Sequence, residues 1–271
     1  MSDKTPLGDR MKRYEKREAG RRLMPLVPAC VRIDGKRFSR WTNGLARPYD
    51  ERLSRAMIET TKRLVDETGA VIGYTQSDEI SLVLFTSDPK QQLFLDGRLQ
   101  KLASILASMT TAFFNAEVAQ RIPERRDRPA IFDARVWSVP NRDEAANTLL
   151  WRERDATKNS LSMAAREHYS HGELMNRDGA QLHDLLHAVG VNWNDYPAFF
   201  KRGTFVQRQR VGRPFSADEI AALPPKHAAR SNPDLIVERT VLRELVMPPF
   251  GRVKNRTQVI FDAAAPDVGP A

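Results

Sequence analysis

Short runs of alternating apolar and polar residues dominate the first half of the chain. "LVPACVRI" (residues 26–33), bracketed by Pro25 and Pro28, has the β-branched content and turn boundaries of a strand. "DGKRFSRWTNGLARP" follows, with turn signals at Asp34-Gly35 and Asn43-Gly44. From Tyr49 to Thr68 the spacing changes. Leu53, Met57, Leu64 and Val65 recur near a helical period, and Gly69 stands at the C-cap position. "AVIGYTQSDEISLVLF" (70–85) then gives two strand-like runs around a tight turn, and Asp88-Pro89 ends the second. A helix is expected from about Gln91 to Arg121, and "AIFDARVWSV" (130–139) reads as one more strand.

The resulting order, β-α-β-β-α-β, predicts an α+β fold. It is the ferredoxin-like sheet of four antiparallel strands with helices on one face. Beyond it the pattern predicts helices over 143–169 and 178–188, and two strands in "FFKRGTFVQRQRVGR" (199–213) and "DLIVERTVLREL" (234–245). Ser216 and Glu219 between them are spaced as a capping box. The expected organisation is a catalytic core over 1–140, a helical and β-hairpin extension over 141–262 packed on it, and a disordered tail over 263–271.

Where the turns fall is what points to chemistry. In this strand order the first and third strands are adjacent and antiparallel, so Asp34 at the end of one lies near Asp78 and Glu79 at the start of the other. Carboxylates gathered at one sheet edge repel, and a divalent cation relieves that repulsion. Mg²⁺ takes hard oxygen ligands together with substrate phosphates. The carbonyl of Gly35 is a further oxygen, and two such ions suit in-line displacement at phosphorus. Lys36 and Arg37 flank the glycine turn, whose backbone N–H groups can cradle a triphosphate. Arg98 and Lys101 share a face of the expected helix.

Composition narrows the partners. The 271 residues carry 43 Lys and Arg against 34 Asp and Glu, a net charge of +9. A basic globular chain favours an anionic partner, with nucleic acid foremost. "KRGTFVQRQRVGR" has Lys201, Arg202, Arg208, Arg210 and Arg213 and no acid, which reads either as phosphate-contacting surface or as a charge-protected edge strand. One cysteine, Cys30, excludes an internal disulfide framework and reads as a buried small hydrophobe. No apolar run approaching a membrane span and no signal-like N-terminus are seen, so a soluble, cytoplasmic chain with no membrane partner is expected.

Taken together, "VRIDGKRFSRWTNGLARPYDERL", "ETGAVIGYTQSDEISLVLF", "IFDARVWSVPNRDEAANTLLWRERDATKNSLSMAA" and "FFKRGT" resemble the tRNA-His guanylyltransferase family over residues 8–210. That resemblance implies a polymerase-palm sheet that adds nucleotides in the 3′-to-5′ direction. It implies two Mg²⁺ ions on Asp34, the Gly35 carbonyl and Asp78, with Glu79 in support. It implies nucleotide contacts from Asp34, Gly35, Lys36, Arg37, Phe38, Ser39, Arg47, Ser77 and Asp78, and triphosphate contacts from Arg98 and Lys101. The substrates implied are GTP and ATP, the partner tRNA, and the assembly a homotetramer of paired dimers. The stretch "TKNSLSMA" (157–164) resembles the bacterial and archaeal like-protein branch, which repairs 5′-truncated tRNAs by templated addition; Lys158 and Asn159 in it are candidate tRNA contacts, beside Lys201, Arg202, Arg208 and Arg210. Two other classes remain open on the residues alone: an RNA-recognition module without chemistry, and a palm-fold nucleotide cyclase.

Overall fold

Pro28 lacks an N–H to give to a ladder, and the first strand accordingly begins after it. In the computed structural model, which describes residues 5–232 and 234–269, helix α1 (Pro6–Ala19) precedes strand β1 (Ala29–Gly35). A short helix α2 (Phe38–Trp41) lies in the loop after β1, followed by α3 (Glu51–Thr68), β2 (Ile72–Gln76), β3 (Glu79–Leu84), α4 (Leu99–Arg121) and β4 (Phe132–Ser138). Asp50 caps α3, its side chain accepting from Arg52 N, and Gly69 ends it in the left-handed region (φ 67°). The second half adds α5 (Arg142–Arg166), α6 (His171–Leu174), α7 (Gly179–Ala188), α8 (Ala198–Arg202), β5 (Thr204–Pro214), α9 (Ala217–Ala222), β6 (Ile236–Glu244) and α10 (Arg256–Asp262). The capping box at Ser216 and Glu219 is formed.

The sheet order is β4-β1-β3-β2-β5-β6 with every neighbouring pair antiparallel. Its first four strands are the expected β-α-β-β-α-β sheet. The two strands of the extension continue that sheet: Phe205 pairs with Tyr74 on the edge of β2. From Gln207 onward β5 pairs with β6 alone, as a two-stranded ribbon.

Alternation along the strands separates two cores. Ala29, Val31, Ile33, Ile80, Leu82 and Leu84 pack with Leu64, Val65, Leu102, Leu106 and Phe114 of α3 and α4. Cys30, Ile72, Tyr74, Val83 and Phe205 turn to the other face and meet Ala145, Ala146, Leu149 and Ala156 of α5, with Val259 and Ile260 of α10. The two palm helices thus lie on one face, and the extension covers the other. Gly73 permits the close approach of α3, because a Cβ there would stand 2.7 Å from Val65 Cγ2 and 2.8 Å from Thr61 Cγ2. Glu153, buried on α5, accepts from Phe250 N with both carboxylate oxygens, at 2.9 Å each, and burial pushes its pKa up. It pins the segment before α10 to α5.

Three expectations change. Helix α4 starts eight residues later than Gln91, after Leu95 and Asp96 take positive φ. By length and mean hydropathy (1.3 over an 18-residue window) α4 also passes for a membrane-spanning helix, contrary to the expectation of no such run. Its apolarity includes a stripe at Leu102, Leu106, Phe114 and Val118 that is buried against the palm. Finally, residues 263–269 of the tail follow a placed path: Asp267 O accepts from Lys254 N, and Ala265 O from Asn255 Nδ2. Residues 270 and 271 lie outside the described residues.

Candidate active site

The turn between β2 and β3 has two residues, Ser77 and Asp78, with Ser77 in the left-handed region (φ 53°). Asp78 therefore projects from the tip of a hairpin whose strands are buried, while Glu79 is already the first residue of β3. The register places Glu79 opposite Asp34 on β1, and Asp133 of β4 opposite Asp34 on the other side. Residues facing one another in antiparallel strands project to the same side. Asp34, Glu79 and Asp133 thus share the face turned to α5.

Gly35 holds the pieces together. A Cβ at this position would lie 2.5 Å from Phe38 Cδ2 and 3.0 Å from Asp78 Oδ2, so any side chain would drive the loop and the turn apart. Phe38 is rooted by Trp41 (ring centroids 5.0 Å), Phe114 (5.7 Å) and Phe132 (5.9 Å). Trp41 Nε1 donates to Arg128 O at 2.6 Å. An apolar aromatic cluster thereby fixes the chain immediately after Asp34.

The acids at this edge do not share one environment. No hydrogen bond or ion pair engages the Asp34 carboxylate among the described residues. Asp78 is pushed up to about 6, first by burial and then by the charge of Asp34; its own backbone and the Ser77 hydroxyl pull the other way. Glu79 is different. Arg152 of α5 grips it with Nε to Oε1 at 2.6 Å and Nη2 to Oε2 at 2.7 Å. Burial raises the Glu79 pKa while this guanidinium opposes the rise.

Beside Asp78 opens a cavity of about 390 Å³. One wall is Phe38, Ser39, Thr42, Leu45, Arg47, Ser77 and Asp78; the other is Tyr49 and Asp50 at the start of α3, Met163 and Arg166 of α5, and Phe199 and Phe200 of α8. Tyr49 packs on Phe200 at 4.8 Å and on Phe199 at 5.2 Å. Asp50 is held by Arg52, with Nη2 to Oδ2 at 2.8 Å and Nε to Oδ1 at 3.1 Å, and those bonds keep its pKa below the usual carboxylate range. The volume falls in the range of small-molecule sites.

Of the residues singled out in the sequence, Asp34, Gly35, Phe38, Ser39, Arg47, Ser77 and Asp78 gather here, with Glu79 beside them. Lys36 and Arg37 are exposed in the same loop, where Arg37 takes a left-handed φ of 53°. Arg98 and Lys101 are elsewhere. Phe114 of α4 packs against Phe38, and Arg98 precedes it by sixteen residues, roughly 24 Å of helix. Arg98 instead lines a cleft with Lys12, Lys16 and Arg22 of the N-terminal segment. The basic residues of the extension are also divided. Lys158 and Asn159 are exposed on α5, Lys201 donates to Asn194 O, and Arg202 O accepts from Tyr74 Oη at 2.9 Å. Arg208 lies on the α3 face, bonded to Asp66, and Arg210 is exposed on the same side of β5. Sequence reasoning missed Arg152, Asp50, Met163, Arg166, Phe199 and Phe200. Asp50 alone had a local signal, as the capping residue in "PYDERL".

The sequence and the palm-like sheet that carry this site match a known family. The Thg1 model, tRNA-His guanylyltransferase, fits residues 8–140. A bacterial Thg1-like protein solved with ATP is 40% identical, covers 75% of this chain and 87% of its own, and superposes with a TM-score of 0.70. A bacterial Thg1-like protein solved with GTP is 33% identical over 91% of this chain and 94% of its own, at 0.71. The chain belongs to the tRNA-His guanylyltransferase family. The family's tRNA(His) guanylyltransferase of Saccharomyces cerevisiae is 28% identical over 206 residues, 68% of this chain and 85% of the yeast protein. Membership in this family makes the chain a nucleotidyltransferase with the α+β palm fold expected from its strand order.

Proposed function

We propose that this enzyme adds nucleotides in the 3′-to-5′ direction to the 5′ end of tRNA, directed by a template. The supporting observation is the meeting of Asp34 and Asp78 across Gly35 beside the cavity. In this reading a tRNA 5′-phosphate is first activated by ATP or GTP with loss of pyrophosphate. The 3′-hydroxyl of an incoming nucleotide such as GTP then attacks the activated phosphate and the activating nucleoside monophosphate leaves. Repair of 5′-truncated tRNA and guanylylation of tRNA-His are the two forms this can take. The "KNS" stretch at 158–160 favours repair.

The donor set fits Mg²⁺: two carboxylates, one unengaged among the described residues and one pushed up by burial and the other's charge, beside a glycine carbonyl. Asp34, the Gly35 carbonyl and Asp78 would hold two ions. When bound they supply charge neutralisation at the reacting phosphorus and its leaving group. The chain's own part is positioning. Phe38, Leu45 and Phe200 offer apolar surface to a base, while Ser39, Ser77 and Arg47 face phosphate and sugar. Asp50, fixed by Arg52, presents a rigid acceptor at the cavity wall. Lys158, Asn159, Lys201, Arg202, Arg208 and Arg210 are proposed to contact tRNA, and Arg98 and Lys101 a second run of phosphates. A cytoplasmic homotetramer is part of the same reading; light scattering of the purified protein tests the assembly.

One incubation decides among reaction classes. The protein is given Mg²⁺, α-labelled GTP and a tRNA lacking its 5′ nucleotide. Label at the tRNA 5′ end is the expected result. Cyclic nucleotide, or binding without incorporation, would overturn it.

A further inference from the structure

Glu79 faces Asp34 directly in the β1–β3 ladder, a geometry that sets Cβ atoms about 4.5–5.5 Å apart. An unrestrained carboxylate there would reach a cation held by Asp34. The Arg152 fork prevents this. Both Glu79 oxygens are engaged, and the two side chains, Arg152 and Glu79, are only 12% and 13% exposed. The guanidinium is fixed in turn: Nη2 also donates to Asp155 Oδ2 at 2.9 Å, and the group lies over the Trp151 ring at 4.6 Å. Arg152 belongs to α5, which also brings Met163 and Arg166 to the cavity wall.

We propose that Arg152 is a positioning residue that keeps Glu79 out of the metal's coordination sphere and locks α5, and with it the cavity wall, to the catalytic edge. The inference rests on the metal-dependent transfer proposed above. Its physical basis is the coordination demand of Mg²⁺, which takes one or two carboxylates and leaves its other positions to water and substrate phosphates. A third carboxylate would occupy a position the phosphates need. A bidentate Arg–carboxylate pair at low exposure is directional, and a lysine cannot reproduce its fork.

The charge-neutral double variant E79Q/R152M separates ligation from positioning, because the total charge near Asp34 is unchanged. Mn²⁺ alone is titrated into the metal-free full-length protein and followed by electron paramagnetic resonance. E79Q/R152M is expected to bind Mn²⁺ as wild type does, while its kcat for 5′ addition falls about tenfold or more with KM for GTP unchanged. R152K, which keeps the charge but loses the fork, frees Glu79 toward the cation, so it is expected to bind Mn²⁺ several-fold more tightly while losing kcat in the same way; wild-type Mn²⁺ affinity in R152K would overturn the inference, and this variant decides the matter if the double variant does not fold. Mn²⁺ affinity reduced about tenfold in E79Q/R152M would make Glu79 a ligand and overturn the inference. So would wild-type kcat in both variants. If D78N binds Mn²⁺ as wild type does, the metal reading itself fails, whatever Glu79 does.

Discussion

On the face turned to α3 and α4, β1 contributes Ala29, Val31 and Ile33, all buried in one apolar core. On the opposite face the same strand contributes Cys30, Arg32 and Asp34. That second face is apolar only at one end, where Cys30 and Val83 meet α5. Toward the other end it becomes a lattice of charge: Arg32 near Trp151, Glu79 in the grip of Arg152, Asp133 beside Arg135, and Asp34, unengaged among the described residues. The first face holds the sheet rigid. The second places charges that would each be costly to bury alone, and it leaves Asp34 unengaged among the described residues, next to Asp78 at the hairpin tip, where substrate is proposed to arrive. Stability and chemistry are thus divided by the period-2 alternation of a single strand.

Substitutions on the two faces should therefore behave differently. Leu82→Ala empties a fully buried site on the α3/α4 face. It is expected to cost about 2–5 kcal/mol in denaturant unfolding, with the activity per folded molecule retained. A selective loss of kcat there would blur the division. Gly35→Ala acts at the seam. Its Cβ has no room between Phe38 and Asp78, and displacement of about 1 Å is expected to lower kcat/KM about 10²-fold in steady-state transfer assays.

Asp78→Asn should move the two properties in opposite directions. Burial and Asp34 raise the Asp78 pKa to about 6 in the fold, above its value of 3.8 in the unfolded chain. The native state therefore holds this proton more tightly, and in metal-free protein this group's contribution to stability falls as pH rises from about 4 through 6. At pH 7.5 the amide variant is expected to be more stable than wild type by on the order of 1–3 kcal/mol, while inactive. Melting curves in chelator at pH 5 and 7.5 read this, and the gain should shrink at the lower pH. The smallest effect belongs to the basic ribbon. R208A/R210A is expected to weaken tRNA binding several-fold and to reduce the slope of log K against log salt by about 0.7–0.9 for each phosphate no longer neutralised. An unchanged slope would assign Arg208 to its bond with Asp66 alone.

Much of the division was legible in the sequence. Alternation located β1 to β4, and the adjacency of first and third strands brought Asp34 to Asp78 on pattern alone. What escaped has a common cause. The bond between Glu79 and Arg152 spans 73 residues, and nothing near either residue announces the other. The pairing of β5 with the free edge of β2 is equally non-local, so two strands that read as a separate hairpin became part of one sheet. Arg98 and Lys101 share a face of the expected helix, and the family resemblance alone implies that they contact a triphosphate. The kink at Leu95 and Asp96 was not visible in residue type, and the later start sets the basic pair at the far end of α4. The cavity wall from Met163, Phe199 and Phe200 exists only through the packing of α8 on α5.

The central claim is that the pair Asp34 and Asp78 performs the chemistry of the working face. Transfer of label from α-labelled GTP to the 5′ end of truncated tRNA, compared between wild type and Asp78→Ala at equal folded concentration, tests it most directly. The account predicts label with wild type and a loss on the order of 10³-fold in the variant, with an unchanged circular dichroism spectrum. Transfer at the wild-type rate by pure, folded Asp78→Ala would contradict it.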